Sequence, residues 1–291
     1  MYSEIDKFRK IVCAHYEKNG RKDLPWRINT DPWAVLISEF MLQQTQIERV
    51  IPYWERWMKL WPSPEALSEA SLQNALLEWN GLGYNRRGRF LWESARKITR
   101  EYGGMVPSAP EELITLPGIG HYSAGAIACF AYNYPAVFIE TNIRAALIHF
   151  FFADHSNTAD LPLGAITKAR HQIKDSELFL ILEEALQKFQ GIKENPRIWY
   201  WALMDWGAAL KKTEGNPSRQ SAHYTRQSRF EGSFRQRRGA LLRALVTGGP
   251  ANAESLQKDS GSSPDEFYPV IEALEKDLMV CCKEGMYMIR E

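Results

Sequence analysis

The sequence predicts a mainly α-helical protein that ends in a small winged-helix-like domain. Apolar residues recur at helical spacing through most of the first 210 residues, and no strand pattern interrupts them. Alternating apolar residues, which are typical of strands, occur only at residues 278–282 and 286–289, around the turn Lys283-Glu284-Gly285. Three helices followed by such a hairpin, over about 60 residues, are the outline of a winged helix.

Proline and serine mark where many of the predicted helices begin. Proline fits the first helical turn, as at Pro32 and Pro110, and serine caps a helix start, as at Ser63 and Ser71. The break at Gly248-Gly249-Pro250 ends a later helix. The longer predicted helices cover residues 4–17, 31–46, 52–61, 86–102, 121–131, 178–189, 196–210, 234–246, 253–258 and 265–277.

The composition is that of a globular protein. Hydrophobic residues make up 45% of the 291 positions, which is enough for a full core. No apolar run approaches the roughly 18 residues that span a bilayer, and residues 1–7 are too polar for a signal peptide. We therefore expect a cytoplasmic, nucleoid-associated protein without a membrane partner. The four cysteines form neither a disulfide framework nor a CxxC metal site, which predicts free thiols.

The charge is concentrated in one stretch. Residues 211–243 hold nine Lys or Arg against two Glu, so this stretch carries +7 in a chain whose net charge is +1. A local basic field of this kind suits a phosphate backbone, although a merely solvated surface would also have it. Six of these residues are our candidates for contact with DNA phosphates: Lys211, Lys212, Arg219, Arg226, Arg237 and Arg238.

A glycine-rich turn joins two predicted helices at Leu116-Pro117-Gly118-Ile119-Gly120. Glycine allows positive φ and removes side chains that would block a ligand, and the following helix presents its positive N-terminus. We therefore predict that Gly118, Ile119 and Gly120 bind a phosphate backbone without regard to sequence. An ordinary interhelical turn would explain Gly-x-Gly alone, but the string that continues through Gly125 is more specific.

The chain resembles the helix-hairpin-helix DNA glycosylases over roughly residues 8–210, and most closely their MutY-type adenine glycosylase branch. Besides the hairpin string, the resemblance rests on Leu24-Pro25-Trp26-Arg27, Asp31-Pro32-Trp33, residues 38–46 and Gly81-Leu82-Gly83-Tyr84. It implies a two-lobed helix-hairpin-helix glycosylase fold. A six-helix barrel domain would cover residues 28–137, a second helical domain residues 1–27 and 138–210, a basic linker residues 211–232, and the winged-helix-like domain residues 233–291.

Cleaving an N-glycosidic bond asks for an acid near the leaving base and a negative charge near the sugar. In the MutY-type family a glutamate that matches Glu39 protonates the adenine, and the resemblance carries that role to Glu39. The matching family pattern Asp-Gly-Asn is here Glu140-Thr141-Asn142. The resemblance implies that Glu140 stabilises the sugar cation, with Asn142 beside it. A partly exposed helix glutamate at 39 and a helix cap at 140 are the structural alternatives.

The glutamate at position 140 weakens the analogy. One extra methylene moves the charge by roughly 1 Å, and misplacements of that size can cost about 100-fold in rate. Tyr122 stands where family members that also cleave the strand have a Schiff-base lysine, which implies a glycosylase without lyase activity. Tyr122 would instead line the catalytic pocket, and packing between helices is its alternative role.

The resemblance also implies residues that line the base pocket or insert into the DNA. Gln43, Gln44 and Tyr84 match residues that fill the gap left by the flipped base and wedge the opposite strand. Adjacent Gln43 and Gln44 cannot face the same way on a helix. Trp26 and Arg27 match residues of the base pocket, although core packing explains Trp26 equally well.

Two family features are missing. Many members hold an iron–sulfur cluster on four cysteines just after the segment that matches residues 201–207, but here no cysteine lies between Cys129 and Cys281. We therefore expect no cofactor. The last 60 or so residues are too few for the family's module that senses oxidised guanine. They would bind DNA, or serve packing or protein interaction.

The expected function is base excision repair on double-stranded DNA that contains a mispaired or damaged base, by a monomer. Adenine is the leading base, and uracil or thymine in a mispair is the runner-up. A non-catalytic protein that binds DNA lesions is the alternative from another class.

Overall fold

The computed structural model describes residues 4–152, 172–187, 195–225 and 229–290, so the predicted phosphate contact Arg226 lies outside the described residues. The helices are α1 (Glu4–Asn19), α2 (Pro25–Ile28), α3 (Pro32–Leu42), α4 (Ile47–Leu60), α5 (Pro64–Ser68), α6 (Leu72–Trp79), α7 (Arg86–Tyr102), α8 (Pro110–Leu113), α9 (His121–Tyr132), α10 (Thr141–Phe152), α11 (Asp175–Gln187), α12 (Pro196–Thr213), α13 (Phe234–Gly248), α14 (Ala253–Ser260) and α15 (Pro264–Lys276). Strands β1 (Val280–Lys283) and β2 (Met286–Ile289) pair in antiparallel register.

The predicted mainly helical fold is confirmed. The helix starts follow the predicted chemistry: Asp31 accepts hydrogen bonds from the N–H groups of Trp33 and Ala34 at the start of α3, and Ser71 accepts one from Asn74 at the start of α6. One difference concerns the predicted basic linker. Helix α12 continues to Thr213, so Lys211 and Lys212 lie in its last turn, where cations interact favourably with the negative end of the helix.

The chain divides into two compact units. Unit 1 comprises residues 1–23 and 128–226. Its core is aromatic: the ring of Phe8 on α1 lies 5.8 Å from those of Trp199 and Trp206 on α12. Helices α10 and α12 approach closely at Gly207, where an added Cβ would lie 1.9 Å from the carbonyl oxygen of Asn142. Only glycine fits there, and this contact places the end of α12 beside the start of α10.

Unit 2 comprises residues 24–127 and 227–291, so the C-terminal helices belong to the same unit as the glycine-rich turn at residues 116–120. Helix α3 is buried from Trp33 to Met41. The indole of Trp57 packs against Trp61 and Trp79 at centroid distances of 4.7 and 5.4 Å. The element order α13–α14–α15–β1–β2 agrees with the predicted order of three helices and a hairpin.

Within the described residues, no helix is both long enough and apolar enough to cross a membrane.

Candidate active site

The glycine-rich turn at residues 116–120 joins α8 to α9, and contacts from α7 hold it in place. Gly118 has a φ of +77°, and an added Cβ would lie 2.7 Å from side-chain carbons of Phe90. The Ser94 hydroxyl donates to the Pro117 carbonyl at 3.0 Å. Ile119 is buried, and its N–H donates to the Leu116 carbonyl at 3.2 Å, so it shapes the turn from inside. Gly120 faces open space, with nothing within 4 Å of an added Cβ.

The two glycines should therefore respond differently to substitution. We expect Gly118→Ala to destabilise the protein by about 1 kcal/mol or more, because it forces an alanine into positive φ and against Phe90. Gly120→Ala should leave stability within about 0.5 kcal/mol and weaken duplex binding, because its methyl group occupies the space a phosphate needs. Urea unfolding and duplex titration of both variants check this. Equal stability losses, or unchanged binding by Gly120→Ala, would contradict it.

Glu39 lies on α3 with 7% of its surface exposed. Its neighbours along the helix, Ser38 and Phe40, are buried at 1% each. The structure thus rules out the partly exposed glutamate that a surface helix would carry. A buried carboxyl group on this helix can donate a proton to a base bound beside it.

Glu140 stands at the start of α10 in unit 1. Its carboxylate accepts hydrogen bonds from the N–H groups of Asn142 (2.6 Å) and Ile143 (2.9 Å), and from the Asn142 side-chain amide (3.1 Å). Burial raises the pKa of Glu140, while the nearby Lys211 ammonium and these hydrogen bonds act in the opposite direction. Glu140 therefore does cap its helix, and the cap is what holds the carboxylate and Asn142 in one geometry.

Lys211 completes this cluster. Its Nζ donates to Asn142 Oδ1 at 2.8 Å, and burial lowers the pKa of Lys211. Sequence reasoning treated Lys211 as a contact to DNA phosphate, whereas the structure places its ammonium against the Glu140–Asn142 pair. The other predicted phosphate contacts within the described residues are either exposed or paired with acidic side chains. Lys212 and Arg219 are exposed.

Arg237 and Arg238 lie in α13 of unit 2 and are paired with acidic residues. Arg237 Nη1 lies 2.8 Å from a carboxylate oxygen of Glu266, and Arg238 donates to Asp277. Trp26 and Arg27 are both buried, and the Trp26 ring packs edge-on against Trp54 at 6.2 Å. Tyr122 is half-buried in the first turn of α9.

Gln43, Gln44 and Tyr84 lie on two loops of unit 2, residues 43–46 and 80–85, which we call the wedge loops. Gln44 and Tyr84 have positive φ values, 57° and 49°, which non-glycine residues adopt at a cost of about 1 kcal/mol or more. The two glutamines do face different surroundings: Gln43 donates to the Ser123 hydroxyl on α9 at 3.5 Å, while Gln44 is exposed.

One buried arginine ties both wedge loops together. Arg87, 7% exposed, lies in the first turns of α7, and burial lowers its pKa to about 10. Its two terminal nitrogens donate at 2.6–3.3 Å to six acceptors, namely the carbonyls of Phe40, Met41, Gln43, Leu82 and Gly83 and the hydroxyl of Thr45. Sequence reasoning missed Arg87, because nothing in its neighbourhood distinguishes it from the adjacent Arg86 and Arg89.

The residues present do not fit the family's iron–sulfur cluster. The segment after Gly207 continues as Ala-Ala-Leu-Lys-Lys and supplies no thiol. Cys129 is buried, and Cys281 and Cys282 lie on β1. No group of three or more His, Cys, Asp or Glu that would hold a metal ion occurs within the described ranges.

Comparison with known proteins identifies the matching part of the chain. Residues 37–163 match the family described as HhH-GPD superfamily base excision DNA repair protein. The adenine DNA glycosylase of Mycobacterium tuberculosis (strain ATCC 25618 / H37Rv) is 46% identical over 134 residues, which cover 46% of this chain and 44% of that protein. The Homo sapiens adenine DNA glycosylase is 40% identical over 167 residues, or 54% of this chain and 30% of that protein. The chain thus covers about half or less of each relative's length.

Solved structures agree on the fold. A thermostable thymine-DNA glycosylase superposes with a TM-score of 0.58 at 20% identity, covering 75% of this chain and 93% of that one. A non-covalent endonuclease III–DNA complex gives 0.53 at 18% identity, covering 74% and 90%. Residues 37–163 thus match the HhH-GPD superfamily model, and the relatives that this part of the chain resembles are adenine DNA glycosylases.

Proposed function

We propose that the chain is a DNA glycosylase of base excision repair that hydrolyses the N-glycosidic bond of a flipped, mispaired adenine. The burial of Glu39 on α3 carries this proposal, because a shielded carboxyl group can protonate a base bound beside it, whereas a non-catalytic DNA-binding protein does not require such an acid. The relatives at 40–46% identity are adenine DNA glycosylases, which supports adenine as the base. The thymine-DNA glycosylase shares only the fold, so thymine or uracil remains the second candidate.

In the proposed reaction the neutral carboxyl group of Glu39 gives its proton to a ring nitrogen of the base. The bond between C1′ and the base then breaks, and its electron pair leaves with the base. The carboxylate of Glu140, held by the N–H groups of α10, stabilises the positive sugar, and a water molecule adds at C1′ and loses a proton. The base must first leave the stack.

We also propose that the enzyme does not cleave the strand and holds no iron–sulfur cluster. Strand cleavage through a Schiff base needs a lysine, and residues 101–157 contain none, with Tyr122 in the first turn of α9. A cluster needs four thiolates, which this region of the chain lacks.

Assays on a panel of mismatched and damaged duplexes test the proposed function. We expect excision of adenine, seen as strand breaks only after alkali treatment, with no borohydride-trapped adduct. Excision of uracil or thymine alone would replace adenine by the second candidate. Tight duplex binding without excision of any base would favour a lesion-binding protein, and a trapped adduct would refute the absence of lyase activity.

The pH dependence of excision reports on Glu140. Burial raises the pKa of Glu140 above the roughly 4.3 of an exposed glutamate. As the pH falls, the Glu140 carboxylate is therefore protonated, and the excision rate should drop, at a higher pH than for an exposed glutamate. Lys211→Met removes the ammonium that lowers this pKa, so the acid limb should move to higher pH. Lys18→Met, an exposed lysine on α1 of the same unit, is the control. An acid limb that Lys211→Met leaves in place would contradict the assignment.

A further inference from the structure

Unit 2 contains a cleft of about 1260 Å³ between the wedge loops and helix α13. Six arginines line it: Arg49, Arg86, Arg87, Arg235, Arg238 and Arg243. None of the described residues along its walls is acidic. Asp277, just outside, accepts a hydrogen bond from Arg238 and lies 3.6 Å from Arg86, so part of this charge is balanced. The remaining excess of positive charge suits a phosphate backbone.

Aromatic side chains alternate with these arginines. Phe230 and Phe234, which both line the cleft, are 56% and 43% exposed, and apolar surface gathered in one place often marks a binding site. The Arg235 guanidinium lies 4.9 Å from the ring centroid of Tyr84 and 5.4 Å from that of Phe230, and it also donates to the Tyr84 hydroxyl. Arg235 therefore joins the start of α13 to a wedge loop. Rings and guanidinium planes in this arrangement are the platforms on which unstacked bases bind.

Contacts along α13 hold the C-terminal helices against the rest of unit 2. Arg243 Nε donates to the side-chain oxygen of Asn80 at 3.2 Å, and Gln73 Nε2 donates to the Val246 carbonyl at 3.2 Å. These hydrogen bonds fix the position of α13 and therefore the shape of the cleft. Glu39 does not line it, so the base that is excised has no reason to enter it. Base flipping, however, leaves a second unpaired base in the opposite strand.

The resemblance already implies that Tyr84 contacts the strand opposite the excised base. We infer that Phe230, Phe234 and Arg235 extend this contact, so that the cleft binds the opposite strand with the orphaned base on Tyr84, Phe230 and Phe234 and the phosphates at the arginines. The inference rests on the proposed function, because an orphaned base exists only if another base is flipped. It gives the C-terminal helices a role in DNA binding. Sequence reasoning left that role open between DNA binding, packing and protein interaction.

Photocrosslinking of the full chain tests which strand occupies the cleft. The probe is a duplex that carries a tetrahydrofuran abasic analogue, with 5-iodouracil either opposite the analogue or beside it in the same strand. We expect adducts on Tyr84, Phe230 or Phe234 only from the opposite strand. Adducts on these residues from the analogue's own strand, or none on them from either strand, would overturn the inference.

Binding measurements supply an independent readout. Phe230→Ala with Phe234→Ala should weaken binding to the abasic duplex by about 10-fold or more, because base–aromatic stacking is lost. Arg235→Met should also weaken binding and reduce the salt dependence by about one phosphate contact. Arg100→Met, an arginine of α7 with 74% side-chain exposure outside the cleft, is the control. Thermal midpoints equal to the parent's show that the variants fold.

The two proposals fail separately. If the parent chain excises adenine while the cleft variants bind and crosslink like the control, the inference about the cleft is wrong and the proposed function stands. If the parent excises no base, the proposed function is wrong. The strand preference of the crosslink then still decides whether the cleft holds the strand opposite an abasic site.

Discussion

Replacing Glu39 by Gln is expected to reduce adenine excision by about 1000-fold while leaving duplex affinity nearly unchanged. The amide keeps the shape and burial of the side chain on α3 but has no acidic proton to give to the leaving base. Without protonation the base departs as an anion, and the barrier to bond cleavage rises. Single-turnover excision rates and duplex titrations measure the two effects separately.

Glu48→Gln is the matched control for this variant, because Glu48 is an exposed glutamate in the first turn of α4. We expect it to behave like the parent protein. Excision by Glu39→Gln at the parent rate would show that Glu39 is not the acid. A loss of duplex affinity that parallels the loss of rate would show that the carboxyl group serves binding rather than chemistry.

Replacing Arg87 by Met is expected to lower the free energy of unfolding by about 3 kcal/mol or more, because buried acceptors lose their donors. Three of its acceptors, the carbonyls of Phe40, Met41 and Gln43, lie at the end of α3, where a cation also stabilises the helix. The other three, on Thr45, Leu82 and Gly83, lie on the wedge loops, as does Gln43. We expect that without Arg87 the wedge loops no longer hold Gln44 and Tyr84 at positive φ.

Urea unfolding measures the stability of this variant, and duplex titration measures the loss of wedge-loop function. Arg87→Lys keeps the charge but has fewer donors, without the planar fork of a guanidinium, so we expect an intermediate loss. Arg100→Met again serves as an exposed control. If Arg87→Met unfolded at the same urea concentration as that control, Arg87 would not be the organising residue of the wedge loops.

The helices and the turn were predictable because their signals are local. Helix α7 was predicted at the bounds the structure shows, and the hairpin β1–β2 was predicted within two residues. Capping is decided within one turn: at α15 the Ser263 N–H donates to Glu266 three residues later. Glu39 stands out in the sequence as a charged residue within an otherwise apolar stretch, but its proposed role came from the family resemblance of residues 38–46.

What the sequence established, then, is the helical framework, the glycine turn and the candidate carboxylates, all of which depend on residues close together in the chain. It left open what Lys211, Arg87 and Arg235 contact. Lys211 meets Asn142 across 69 positions, and Arg235 meets Tyr84 across 151. Such contacts arise when helices pack, as α12 does on α10 through Gly207, and a long cation gives no local sign of which distant carbonyl, carboxylate or ring it will meet.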